Sequence, residues 1–222
     1  METLDKRSWD IIDTVWRDVP KGFLREFGDR VLRAYDDTCE SVNNSPTVLH
    51  EQRLSRLRAL RPFRMDWELV QAASSWGLSV SAEPLAENDW KYAYAVAGSF
   101  GLTQSYVQKL GALPRPAKFR DQLANYARMP RLEFDNPSEI YEPRNFYGLL
   151  AHNPVGWRFD KDHQKLGSLQ FCVPFGGMSG WAFEMSVSEL VSRYPVVTEK
   201  VTTDESRSPK WKPAVKTKDD VG

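Results

Sequence analysis

His152, Asp160, Asp162 and His163 have the side chains that a metal centre or an acid–base pair would use. Their spacing argues against it. Asp162 and His163 are neighbours, and neighbours on a strand point to opposite faces, so the two would not share a ligand. The sequence contains no HExxH, GxSxG, P-loop or GxGxxG pattern. Cys39 and Cys172 are the only cysteines, far apart and without CxxC spacing, which indicates neither a disulfide scaffold nor a structural zinc site. These residues therefore read as loop and surface positions, and no catalytic residue, metal ligand or cofactor is expected. A hydrolase or nuclease built on His152, Asp160 or His163 would have to be metal-dependent and would lose activity when those side chains change.

Phosphate binding is the other chemistry suggested by residue type. Arg53, Arg56, Arg58, Arg61 and Arg64 follow one another without an acid between them. At about 100° per residue they spread around a helix among Leu54, Leu57 and Leu60, not along one stripe. They suit a phosphate-contacting surface, or arginines that cover apolar area or pair with acidic helices nearby. Arg115, Lys118, Arg120, Arg128 and Arg131 form a second basic group, opposed only by Asp121. Thirty basic and thirty acidic residues cancel over the chain, but residues 47–132 carry a net +5, flanked by residues 1–46 at −3 and 133–195 at −3. Such asymmetry points toward nucleic acid.

The stretch Ala93–Leu113, AYAVAGSFGLTQSYVQKLGAL, resembles the helix-turn-helix of DNA-binding proteins. Ala97 provides the small residue where two helices cross, and Gly101 the turn position that tolerates positive φ. Val96, Phe100, Leu102, Val107 and Leu110 would form the shared core. The continuation LGALPRPAKFRDQL is similar to the ParB/KorB group of partition proteins and repressors; a phage-repressor type motif fits the core equally well. The arginine-rich nucleotide box of the ParB type is absent, so CTP binding is not implied. The resemblance implies a recognition helix over 103–112 in the major groove, where Gln pairs with adenine and Lys with guanine edges. Thr103, Gln104, Ser105, Gln108 and Lys109 would meet bases or adjacent phosphates. Arg115, Lys118 and Arg120 would hold the backbone.

The elements that must position these groups follow from periodicity. Trp9, Ile12, Trp16 and Val19 recur at helical spacing, and after Pro20 so do Leu24, Phe27, Val31 and Tyr35. A third helix is predicted from about Val48 to Leu60, with Pro62 forcing a break before another through Trp67, Leu69 and Val70. Gly77 to Asn88 reads as a polar connection. After Pro130, strand signals appear at Phe146–Leu150, Val155–Phe159, Leu169–Phe175 and Trp181–Val187, with a short helix capped by Ser188. Trp157 and Trp181, with Phe146, Tyr147, Phe175 and Phe183, read first as core and otherwise as a ligand pocket or dimer interface.

The expected architecture is α+β: an all-helical N-terminal part with a helix-turn-helix, then a small antiparallel β-rich domain. The segments are 1–46 (helical), 47–130 (helix-turn-helix domain), 131–196 (β-rich) and 197–222, a polar tail read as disordered, in which Trp211 offers a docking element for a protein partner. No apolar run suits a membrane span and no secretory signal opens the chain, so a cytoplasmic location is expected. The leading expectation is sequence-specific double-stranded DNA binding by a transcriptional regulator or partition-type adaptor, acting as a homodimer over two half-sites. The alternative is a protein-interaction module of a larger assembly, without DNA readout.

Overall fold

The structure, a computed structural model, describes residues 6–85, 91–127 and 146–195. Three helices come first: α1 (Lys6–Asp18), α2 (Lys21–Asn43) and α3 (Arg53–Ser75), the last entered through a 3-10 turn at His50–Gln52. Pro20 caps α2 with an extended backbone, and the helix buries Leu24, Phe27, Val31 and Tyr35 completely, the face its spacing predicts. Each such side chain contributes about 1.5–3 kcal/mol of burial. Pro62 does not break α3. The helix runs straight through it, held by the buried row Leu57, Arg61, Met65, Leu69 and Ala72, so tertiary packing outweighs the lost amide donor. Trp67, expected in the core, is more than half exposed.

A six-stranded sheet follows in the order of the chain: β1 (Ser79–Pro84), β2 (Lys91–Ala97), β3 (Phe100–Tyr106), β4 (Phe146–Pro154), β5 (Leu166–Pro174) and β6 (Trp181–Ser186). All neighbours are antiparallel except β3 and β4, which run parallel with Tyr106 opposite His152. A parallel pair needs a crossover, and α4 (Lys118–Ala127) lies in it. A short α5 (Val187–Arg193) closes the described chain, capped by Ser186 in place of the expected Ser188; the Ser186 hydroxyl accepts from the Glu189 amide. Helices cover both faces. Phe100, Leu102, Phe146, Leu150, Phe171 and Val173 point to the core shared with α1, α2, α3 and α5. Tyr147, Leu149, Ala151 and Cys172 point the other way, to Ala124 and Ala127 of α4.

The α+β class and the helical N-terminal part are as the sequence suggests, but the sheet begins far earlier. Residues expected to form the helix-turn-helix form a β-hairpin. Ala93, Ala95 and Ala97 are buried while Val96 between them is exposed, a two-residue period. Ala97 pairs with Phe100 across a turn of Gly98 and Ser99, and Gly98 takes φ +57°. Gly101, expected in a helical turn, lies mid-strand under the Tyr94 ring: a Cβ there would stand 1.9 Å from the Tyr94 hydroxyl. The polar connection Gly77–Asn88 holds β1, and Val155–Phe159 is a connection instead of a strand. The expected boundary at 130/131 falls between α4 and β4, whose flanking strands β3 and β4 share one sheet. Arg128, Arg131 and the tail with Trp211 lie outside the described residues.

The hairpin turn is tied to α1. Asp18 accepts hydrogen bonds from the Ser99 amide at 3.0 Å and from the Ser99 hydroxyl. The Arg17 side chain and these Ser99 donors, against the effect of burial, hold the Asp18 carboxyl down at about 2. A Cβ on Gly98 would come within 2.6 Å of the Asp18 side chain. Gly98→Ala therefore combines a disfavoured φ with a collision and should cost about 1–3 kcal/mol in urea unfolding; a change below ~0.5 kcal/mol, the size of an ordinary surface substitution, would contradict this turn geometry.

Candidate functional site

The parallel strands β3 and β4 leave the sheet side by side, and the Val107 amide donates to the His152 carbonyl at 3.0 Å. The space beyond the carboxyl ends of parallel strands is where open α/β sheets most often receive ligands. Three segments meet there: the N-terminal half of α3, the connection after β3, and the loop 155–165 after β4.

A chain of buried polar groups lies directly beneath. The Tyr35 hydroxyl and His152 Nδ1 are 2.7 Å apart, and His152 Nε2 and Gln104 Oε1 are 2.9 Å apart. Gln104 Nε2 donates to Asp66 Oδ1 at 2.7 Å and to the Pro62 carbonyl at 3.3 Å. With the Gln104 nitrogen committed as donor, its oxygen must accept, so His152 carries its proton on Nε2 and accepts a hydrogen bond from the Tyr35 hydroxyl at Nδ1. Every donor in the chain has an acceptor, and Gln104 Nε2 has two. Burial, with a smaller contribution from Arg61, pushes His152 down to about 3, so it is neutral near pH 7. Asp66 is shifted upward by burial, against the hydrogen bond from Gln104. A fully enclosed, fully bonded imidazole has no open side for a substrate. His152 acts here as a joint between α2, α3 and the two strands.

Arg61 is the second buried member. It is 5% exposed, its Nη1 donates to Gln164 Oε1 at 2.7 Å and its Nη2 to the Gln164 carbonyl at 2.6 Å. Its guanidinium lies 4.1 Å from the Tyr35 ring centre. No carboxylate accompanies it among the described residues; burial lowers its pKa, and the groups that oppose this are Tyr35, Cys39 and Tyr106. Gln164 in turn donates to the carbonyls of Arg158 and Gly156, so Arg61 fixes the shape of the 155–165 loop. Above it sits Tyr106, half-buried. Burial raises the Tyr106 phenol, and the nearby cations of Arg58, Arg61 and Arg115 pull it back.

The expected base-reading residues are not brought together. Thr103 is buried toward α4 and bonded to the Tyr147 hydroxyl at 2.7 Å; Ser105 is also buried, and Gln104 belongs to the interior chain. Gln108 and Lys109 are exposed in the connection after β3. No helix spans 103–112, because 103–106 complete β3 against β4 and 107–112 form the connection after it, so a recognition helix at this place is overturned. Arg120 turns inward, donating to the Arg115 carbonyl at 2.6 Å and lying 4.8 Å from the Phe119 ring centre. Lys118 is exposed in the first turn of α4 and makes contacts of its own. Arg115 does join Arg58 and Arg61, uniting the two basic runs of the sequence. Tyr106, Tyr35, Asp66 and Gln164 carry no sequence signal for this site; the one available hint was the acid-free arginine run.

Asp160 and His163 pair with each other through Asp160 Oδ2 and His163 Nδ1 on the exposed loop. Among the described residues no group of three or more His, Cys, Asp or Glu side chains is placed to hold a metal, and no helix is long and apolar enough to cross a membrane. Comparison of the chain with protein-family models, curated proteins and solved structures gives no match.

The buried imidazole has a measurable consequence. An unfolded chain binds a proton at His152 near pH ~6.5, whereas the folded chain excludes it down to about 3. Its contribution to stability is therefore complete above ~6.5 and is lost as pH falls toward 3, by up to about 1.4 kcal/mol per pH unit. Urea midpoints between pH 7 and 5 should fall on acidification, and His152→Gln should be less stable overall with a flatter pH profile. An unchanged slope in the variant would contradict the assignment.

Proposed function

We propose that this chain is a nucleic-acid-binding protein that holds phosphates at the carboxyl end of its parallel strand pair, without a recognition helix. The observation that carries the reading is the convergence of Arg58, Arg61 and Arg115 on Tyr106 from segments some fifty residues apart. The Arg58 and Arg115 side chains are exposed and have no hydrogen bond or ion pair among the described residues. Arg61 is buried with no carboxylate among the groups that act on it. A buried cation without a counter-charge costs stability, and a phosphate held by the exposed Arg58 and Arg115 supplies negative charge on its side of the sheet end.

The nearby acids do not occupy these arginines. Asp37 bonds Arg64, Glu68 bonds Arg64 and Arg30, Asp160 takes His163 and Asp162 takes Lys165. Backbone contact of this kind positions a nucleic acid but carries little sequence information. The dimer expected for reading two half-sites loses its premise with the recognition helix, and regulation of a specific operator is not part of the proposal. The reading assigns no catalytic step.

Fluorescence anisotropy of labelled nucleic acid across about 50–300 mM salt tests it. Native protein should bind with a steep loss of affinity as salt rises. Arg58→Gln together with Arg115→Gln should weaken binding roughly tenfold or more at ~100 mM salt and lower the slope of log affinity against log salt by about 2, one for each guanidinium. Absence of binding at ~50 mM salt, or binding indifferent to both substitutions, overturns the proposal.

A further inference from the structure

We infer that the nucleic acid this surface takes is single-stranded, with its bases stacked on aromatic side chains that leave the sheet at the same end as the arginines. The inference rests on the phosphate-binding reading above and adds the state of the strand.

Three aromatic residues belong to this end. Tyr106 is the last residue of β3, paired in register with His152. Trp157 and Phe159 lie in the connection that continues β4 beyond Pro154. Trp157 is 52% exposed, with no ring or hydrogen-bond partner among the described residues. Phe159 is half-buried, with the Arg53 guanidinium 6.0 Å from its ring centre. The loop carrying Trp157 and Phe159 is not free to collapse. Arg61 grips Gln164 at two points, and Gln164 ties back to the carbonyls of Gly156 and Arg158 on either side of Trp157. The backbone on both sides of the exposed indole is therefore held by the same buried arginine that faces Tyr106.

The arrangement interleaves aromatic and guanidinium groups: Arg53 with Phe159, Arg58, Arg61 and Arg115 with Tyr106, and Arg158 next to Trp157 in sequence. A duplex hides the faces of its bases, so an exposed indole has nothing to stack on there. A single strand offers both a phosphate for each guanidinium and a base face for each ring, which is how sequence-tolerant single-strand binding works. Core packing does not account for Trp157, since its side chain is open to solvent in a loop otherwise fully tied down.

The test compares a labelled mixed-sequence DNA strand of about 12 nucleotides, within the ~4–16 that one compact site covers, with its own duplex at ~50 mM salt. The strand should bind at least about tenfold more tightly than the duplex. Trp157→Ala should weaken strand binding by about fivefold to 150-fold, the range for losing one stacked base, with thermal unfolding unchanged. Trp9→Ala, which removes an exposed tryptophan from α1 at 43% exposure, should leave strand binding as it is. Equal affinity for strand and duplex, preference for the duplex, no loss in Trp157→Ala, or an equal loss in Trp9→Ala each overturns the single-strand inference while the phosphate-binding reading stands. Binding of neither strand nor duplex overturns both.

Discussion

A neutral imidazole, enclosed between two helices and two parallel strands, sets the geometry of the whole carboxyl end of the sheet. His152 accepts from Tyr35 on α2 and donates to Gln104 on β3, which donates to Asp66 on α3. Each member has its partner, and each sits on a different element. Removing one leaves a buried polar atom stranded, at a cost of about 1–3 kcal/mol, whereas each intact bond contributes only about 0.5–1.5 kcal/mol net. The consequence is positional more than energetic: α2 and α3 have one docking on the sheet that satisfies every donor. With α3 fixed in this way, Arg61 is carried to the Tyr35 ring and to Gln164, and the loop after β4 takes its shape from that contact. The site is thus an outcome of how the helical layer seats on the strands.

The charge pattern follows from the same seating. Among the arginines of α3, Arg64 meets Glu68 and Asp37, and Arg53 donates to the Asn43 side chain. Arg61, which points inward, meets an aromatic ring and an amide. Arg58 projects beside Tyr106, where the connection after β3 brings Arg115. An acid-free run in the sequence therefore becomes two populations in the fold, one neutralised and one left available. Only the second has a use that structural economy does not explain.

How much of this was legible in the sequence depends on how many templates a segment satisfies. The face of α2 through Leu24, Phe27, Val31 and Tyr35 fits the helical period and no other, and it is buried as the spacing implies. The segment Ala93–Tyr106 fits two. Ala93, Ala95, Ala97, Leu102 and Gly101 suit a pair of packed helices because small residues permit close crossing, and they also suit a strand pair with alternating burial. What decides is outside the segment: parallel pairing of β3 with β4, some forty residues later, and Asp18 holding the turn at Ser99. Local pattern cannot register either. Pro62 shows the same limit, since the packing that carries α3 through it comes from distant residues. Within the arginine run, nothing in the letters separates Arg61 from Arg58; the difference is a rotation of the helix against a sheet that had not been recognised. The side-chain chemistry that suits Gln104 to base recognition is used, but inside the protein.

The most direct measurement is the protonation state of His152, read from the nitrogen chemical shifts of its ring in labelled protein between pH 4 and 8. The account predicts one neutral tautomer throughout, protonated at Nε2 and bare at Nδ1, with no titration in that window. A ring that becomes doubly protonated near pH ~6.5, or one that carries its proton on Nδ1, would contradict the chain of hydrogen bonds on which the placement of Arg61 depends.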